Sequence, residues 1–212
     1  NTKSISSIIL KIIAFDFFIC YNRRMRMQGR ELTLKNGTKV EMHTVTVGET
    51  GKYLKFMKEV YDKNDMLELN PNEVEEMKRR RVRKEIKEFA KAKRQILLGV
   101  YSEKKLIAAC SVSRVSDKEK ESHRAALSIA IAPEFRKIGL GSSLMKLAFD
   151  FAGKVAYEQF ETTVLESNTP AFILCTEYGF KAMCRFPRAF KNIKGAYQDS
   201  ILLIKYLNNY ET

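Results

Sequence analysis

Leu127-Ser-Ile-Ala-Ile-Ala-Pro133-Glu-Phe-Arg136-Lys-Ile-Gly139-Leu-Gly141-Ser-Ser-Leu144 is the stretch on which the reading of this chain turns. Its first half is apolar and β-prone, and Pro133 ends that run. The period then becomes helical, with Leu144, Leu147, Ala148, Phe151, Ala152 and Val155 on one face. A strand thus leads through a short basic loop into a glycine-bearing helix start. Gly139 and Gly141 have no side chain, so backbone N–H groups over positions 137–142 are expected to close around a ligand. Those groups are the unpaired donors of a helix N-terminus, at the positive end of its dipole. They suit a phosphate or pyrophosphate, to which Arg136 and Lys137 add charge. The competing reading is a tight strand-to-helix turn that merely needs glycine, and the adjacent cations weigh against it.

Two common nucleotide loops do not fit. The pattern GxxxxGK[ST] is absent. A dinucleotide fingerprint would need a third glycine and a turn directly after the strand, whereas six residues separate Ala132 from Gly139. The preceding strands also read as a meander. Ile96–Tyr101 and Leu106–Val115 are joined around Glu103 and Lys104, and Ala125–Ala132 follows the charged loop Ser116–Arg124.

Upstream of the meander, Glu31–Lys35 and Thr38–Thr46 alternate apolar and polar residues about Asn36-Gly37, which predicts a hairpin with a type I′ turn. Tyr53, Phe56, Met57, Val60 and Tyr61 recur at helical spacing. Asn70-Pro71-Asn72-Glu73 opens a second helix that carries Val82, Ile86, Phe89 and Ala90 on one face. Downstream, Phe160–Leu165 reads as a buried strand and Asn168–Tyr178 as a short helix ended by Gly179. Phe180–Phe186 and Ala196–Leu207 complete the order ββααβββαβαββ: one α/β domain with a single mixed, mostly antiparallel sheet flanked by helices.

Arg136-Lys-Ile-Gly139-Leu-Gly141 matches the R/Q-x-x-G-x-G/A motif of the GNAT superfamily of acyl-CoA-dependent N-acetyltransferases, and the chain resembles that family. Ile129-Ala-Ile131-Ala-Pro133 looks like its fourth strand. Asn168-x-x-Ala171-x-x-Leu174-Cys175-x-x-Tyr178-Gly179-Phe180 looks like its second cofactor motif, usually N-x-x-A-x-x-L-Y-x-x-x-G-F. The likeness runs from the Glu31 hairpin to the last strand. It implies a central strand pair that splays apart, with the acetyl-CoA pyrophosphate on Arg136, Lys137, Gly139, Gly141 and Ser142. The pantetheine arm would lie between Ile129–Ala132 and Phe160–Leu165, with a backbone N–H near Ile131 polarising the thioester carbonyl. Asn168 would bond that arm, cap its helix, or do both.

An acceptor amine of lysine type has a pKa around 10 and must lose a proton before it attacks. The family often supplies the acid for the departing thiolate from a tyrosine at the position of Cys175. Cys175 is therefore either a substitute acid or a buried helix residue, and Tyr178 serves if its ring points toward the sulfur. Glu166 and Glu68 are the carboxylates to test as base, directly or through water. The leading expectation is direct N-acetylation of a small primary amine or amino-acid-like acceptor. Tyr53, Phe56, Met66, Leu67, Glu68, Phe186, Arg188, Phe190 and Tyr197 would lie toward the acceptor, and Arg185 and Arg188 are candidates for a substrate carboxylate. The departure at Cys175 keeps open an acyl-CoA-binding sensor without turnover.

Composition bounds the rest. The 212 residues are 45% hydrophobic and 30% charged, a globular balance. Cys20, Cys110, Cys175 and Cys184 show no CxxC spacing, and His43 and His123 stand alone, so neither a metal site nor a disulfide framework is expected. Free thiols fit a reducing cytoplasm. Of the net charge of +13, the segment Lys78–Arg94 alone supplies +8. Such a run is commonly a solvated helix face; it also attracts polyanions, although Phe89 reads as core rather than a stacking platform, which disfavours nucleic acid. Residues 5–20 are apolar but interrupted by Lys11 and Asp16, too short and charged for a spanning helix, so no membrane is expected. Met25 and Met27 read as natural starts. Residues 1–27 are accordingly set apart as an appended or upstream-encoded extension from a domain over 28–212. Residues 1–24 are expected to form a helix docked on the domain or on a second copy in a homodimer.

Overall fold

The computed structural model describes residues 18–21, 24–27, 29–62 and 68–207. β1 (Phe18–Tyr21) and β2 (Arg24–Met27) pair antiparallel, from Phe18 opposite Met27 to Tyr21 opposite Arg24. This corrects the expected helix for that part of the extension, since a four-residue aromatic and β-branched run pairs more readily than it coils. Residues 1–17 lie outside the described residues. Met27 is buried, and its N–H donates to Thr44 Oγ1 at 2.8 Å, which fastens the ribbon to the domain.

β3 (Arg30–Thr33) and β4 (Lys39–Thr44) form the expected hairpin, with a different turn. Leu34 N–H donates to Thr38 C=O and Gly37 N–H to Leu34 C=O, and within the turn only Gly37 has positive φ. That is a three-residue connection with a left-handed glycine rather than type I′. α1 (Thr50–Asp62) follows, and the second helix comes in two pieces, α2 (Pro71–Glu75) and α3 (Arg79–Lys91), both packed on α1. The extended Lys78 between them lets Val74 and Val82 both reach full burial.

β5 (Ile96–Ser102), β6 (Lys105–Arg114) and β7 (Arg124–Ile131) are the meander. α4 (Leu140–Lys154), β8 (Gln159–Leu165), α5 (Thr169–Glu177), β9 (Lys181–Lys191) and β10 (Tyr197–Tyr206) complete the chain. The main sheet runs β3-β4-β5-β6-β7-β8-β10-β9, antiparallel except for β7 and β8. β5 is buried on both faces. Leu98 and Val100 face the core with α4 and α5, while Leu97 and Tyr101 face α1 and α3. No helix among the described residues is long and apolar enough to cross a membrane.

The parallel pair is brief. Arg124, Ala125 and Ala126 lie opposite Gln159, Phe160 and Glu161, and there the pairing stops. On their outer sides the strands stay laddered, β7 to β6 as far as Ile131 opposite Ala108 and β8 to β10 as far as Leu165 opposite Ser200. β7 and β8 therefore diverge inside an otherwise continuous sheet. At the vertex the Arg124 guanidinium grips the buried Glu161 carboxylate through Nε and Nη2, and Gln159 Nε2 adds a bond at 2.8 Å. Glu161→Gln should cost about 2–3 kcal/mol, because Arg124 loses its two-point carboxylate partner and keeps only Glu121, at 3.5 Å. Arg124 keeps 32% of its side chain exposed, which sets the loss below that of a fully buried pair. The melting temperature should fall by roughly 5–10 °C. Arg124→Met with Glu161→Leu should lose less than Glu161→Gln alone; equal or greater loss would show that the cost of Glu161→Gln does not come from the stranded Arg124 charge.

Candidate active site

Alternation in β7 decides which peptide groups face the gap. Ala132 N–H donates to Ile107 C=O at 2.9 Å, so Ser128 and Ala130 turn their peptide groups toward β6. Leu127, Ile129 and Ile131 turn theirs toward β8, beyond the point where β8 pairs with them. On the other wall Glu166 N–H reaches Asp199 C=O at 2.9 Å, which leaves Thr163 and Leu165 facing β7. Two of these carbonyls are taken. Ile131 C=O accepts from Arg136 Nε at 3.1 Å, and Leu165 C=O accepts from Asn168 N–H at 2.8 Å. The result is a cleft with an amide edge along one wall.

At the mouth of the cleft the chain runs through Pro133–Phe135 and arrives at α4 by two left-handed residues, Lys137 (φ 62°) and Gly139 (φ 89°). The first helical bond is Ser143 N–H to Gly139 C=O, so the N–H groups of Leu140, Gly141 and Ser142 have no acceptor within the helix. Gly141 is where α4 meets α5: a Cβ there would stand 2.9 Å from Leu174 Cδ2 and 3.7 Å from Ile131 Cδ1. Arg136 is held beside the cleft by its bond to Ile131. A further cation comes from a distance, since the Lys35 stem lies 3.5 Å from where a Cβ on Gly139 would be. Lys35 was not among the sequence candidates, because only folding of the β3–β4 hairpin brings it there. An oriented donor set beside two or three cations suits a diphosphate, and the amide-edged cleft suits an amide-bearing arm.

Comparison with known proteins agrees with this geometry. The family model described as the acetyltransferase (GNAT) family matches residues 59–180. The chain belongs to the GNAT acetyltransferase family. It is thus an acetyltransferase of a fold that binds acetyl-CoA. Among solved structures, a GNAT-family acetyltransferase from Streptococcus pneumoniae is 19% identical with a TM-score of 0.73, covering 80% of this chain and 99% of that one. YncA of Salmonella typhimurium, solved with acetyl-CoA, is 10% identical with a TM-score of 0.71, covering 82% of this chain and 96% of that one. A ribosomal-protein-alanine N-acetyltransferase from Brucella melitensis is 14% identical with a TM-score of 0.68, covering 78% and 98%. A search of curated protein sequences finds no match.

The other sequence candidates of this GNAT domain fall in distinct surroundings. Asn168 caps α5, its Oδ1 accepting from Ala171 N–H at 3.3 Å. Cys175 is buried in α5 within the core, and burial pushes its thiol up to about 11. Such a thiol gives up its proton less readily than an unperturbed one near 8.5. The Tyr178 hydroxyl donates to Ser142 C=O at 3.1 Å, and its ring stacks on Phe149, which ties the end of α5 to the first turn of α4. Glu166 is paired with Arg185 at 2.8 Å, and the same guanidinium holds Asp199 at 2.8 Å. That pairing uses the charge of Arg185, so Arg188 is the arginine of the two left for a substrate carboxylate; it stacks on Tyr197.

Glu68 differs from Glu166. The residue keeps an exposed side, yet partial removal from water holds its carboxyl above the ordinary range. It lies close enough to Tyr61, at the end of α1, to help push that phenol up to about 12. Nearby, Asn70 Nδ2 reaches Lys191 C=O at 3.4 Å, so the approach to α2 meets the β9–β10 hairpin. Tyr53 and Phe56, expected toward the acceptor, are core residues under α3, because α1 turns their face to the sheet. Phe186 and Tyr197 are exposed, and Met66 and Leu67 lie outside the described residues.

Proposed function

We propose that the protein moves an acetyl group from acetyl-CoA to a small primary amine or amino-acid-like acceptor, by direct attack in a ternary complex. The observation that carries this reading is the parting of β7 and β8 after Ala126 and Glu161 while both strands keep their outer ladders. In this reading the N–H groups of Leu140, Gly141 and Ser142, with Arg136 and Lys137, hold the diphosphate. Ile129 bonds the pantetheine arm as a strand would, Asn168 lies beside it, and the Ile131 N–H faces the thioester oxygen. Acetyl-CoA supplies the activated acyl group. Glu68 takes the proton of the acceptor amine, since Glu166 is neutralised by Arg185.

The deciding assay is release of CoA thiol with a panel of amines, corrected for hydrolysis. Amine-dependent release supports transfer. Tight binding of acetyl-CoA without release by any amine would instead support an acyl-CoA sensor, a reading favoured by the raised Cys175 thiol and the engaged Tyr178 hydroxyl.

Gly139→Ala tests the cradle. An L residue at φ 89° is strained by about 1–2 kcal/mol, to be shared between lower stability and weaker acetyl-CoA binding. Thermal melting and equilibrium binding together should recover that sum. Wild-type values in both would show that the left-handed turn is not needed.

A further inference from the structure

The structure assigns a second anionic site, apart from the acyl-transfer cleft: we propose that the α3 face around Arg79, Arg80 and Arg83 docks the phosphate backbone of a nucleic-acid duplex. These three arginines line a cavity of about 490 Å³ together with Val47, Gly48 and Thr50. None of its lining residues belongs to the cradle or to the β7–β8 cleft. The Arg79 guanidinium lies in van der Waals range of Gly51, 3.8 Å from where a Cβ would stand.

Charge on this face is left uncompensated. From Lys78 to Lys91 eight cationic side chains stand against Glu85 and Glu88, and all eight cations are exposed. Glu88 pairs with Lys84 at 3.9 Å, and Glu85 lies near Arg81. Among the described residues no carboxylate pairs with Arg79, Arg80 or Arg83. The first turn of α3 holds three arginines and no acid, the reverse of what its dipole favours, so folding alone does not account for their position. Arg94, at the end of the basic run, is a structural residue: it bonds Ala156 C=O and covers the Tyr157 ring.

The length of the basic face suits a duplex. α3 has 13 residues and spans about 20 Å. A duplex offers one negative charge per roughly 1.7 Å of axis, or about a dozen over that length. Arginine forks suit phosphate oxygens in pairs. Phe89 packs toward the core, so the face offers no platform for stacking single-stranded bases, and the contact is to backbone.

The test is fluorescence anisotropy of labelled duplexes of about 20 base pairs, as RNA and as DNA, with the full-length chain over a salt series. Binding should weaken steeply with salt. Arg79→Ala/Arg80→Ala/Arg83→Ala should lower the magnitude of the log–log salt slope by about 2–3 and weaken binding at least tenfold, with melting temperature and acetyl-CoA binding unchanged. Lys104→Ala/Lys120→Ala, on other loops, should leave both slope and affinity near wild type. Three outcomes overturn the proposal: no binding of either duplex at low salt, an unchanged slope in the triple variant, or displacement by polyglutamate as effective as by unlabelled duplex. Because acetyl-CoA binding is read separately, failure here leaves the acetyltransferase reading untouched.

Discussion

Replacing Ile131 with proline should lower kcat for acetyl transfer by about 10²–10³, the range found when one preorganised oxyanion donor is removed. The substitution is informative because of the direction of the amide. Ala132 N–H points to Ile107, so by alternation the Ile131 N–H points into the cleft and is not part of the β6–β7 ladder. A proline there removes one donor from the cleft and none from the sheet, and its fixed φ is tolerated at a strand end. Ala130→Pro is the contrast: that N–H faces β6, so the variant should lose ladder and stability. If Ile131→Pro melts near wild type and turns over at an undiminished rate, the amide does not polarise the thioester, and the reacting carbonyl must lie elsewhere in the cleft.

Much of this arrangement was legible before the fold was known. The change of period at Pro133 and the two glycines marked the strand-to-helix turn that opens α4, because that turn is local in sequence. The splay of β7 from β8 was expected only from the family resemblance, since the two strands lie some 35 residues apart and nothing local marks where their pairing stops. Contacts made across the chain left no such trace. Arg124 and Glu161 meet only because parallel strands bring them side by side, and each alone reads as an ordinary surface charge. Lys35 reaches Gly139 only through the closure of a distant hairpin. Two boundaries were misread for physical reasons. Lys78 breaks the second helix without the glycine or proline that marks such a break, and the strand expected over Phe180–Phe186 runs on past Pro187. β9 is an edge strand, paired with β10 alone, where a missing N–H need not cost a ladder bond, and it continues to Lys191.

Glu68→Gln should reduce kcat/KM by about 10², at the lower end of what a positioned general base contributes. The pH profile separates this role from a structural one. A carboxylate base works only when ionised, so kcat/KM of the wild-type enzyme should fall as pH drops through the Glu68 pKa. Burial holds that pKa above the usual carboxylate range, which moves the acidic limb toward neutrality. The acceptor amine also gains nucleophilicity with pH, but its limb shifts when the acceptor is changed from an ε-amine to an α-amine, near 10.4 and about 8 respectively. The enzyme limb should stay where it is and vanish in Glu68→Gln. Stability should move the other way. With the folded pKa above the unfolded one, Glu68 binds protons more readily in the fold, so its contribution falls as pH rises through that window and is a cost at neutral pH. The glutamine variant, free of that cost, should be no less stable than wild type at pH 7. Loss of activity together with loss of fold would mean that Glu68 braces the end of α1 against Tyr61. Full activity with an unchanged acidic limb would leave proton removal to water.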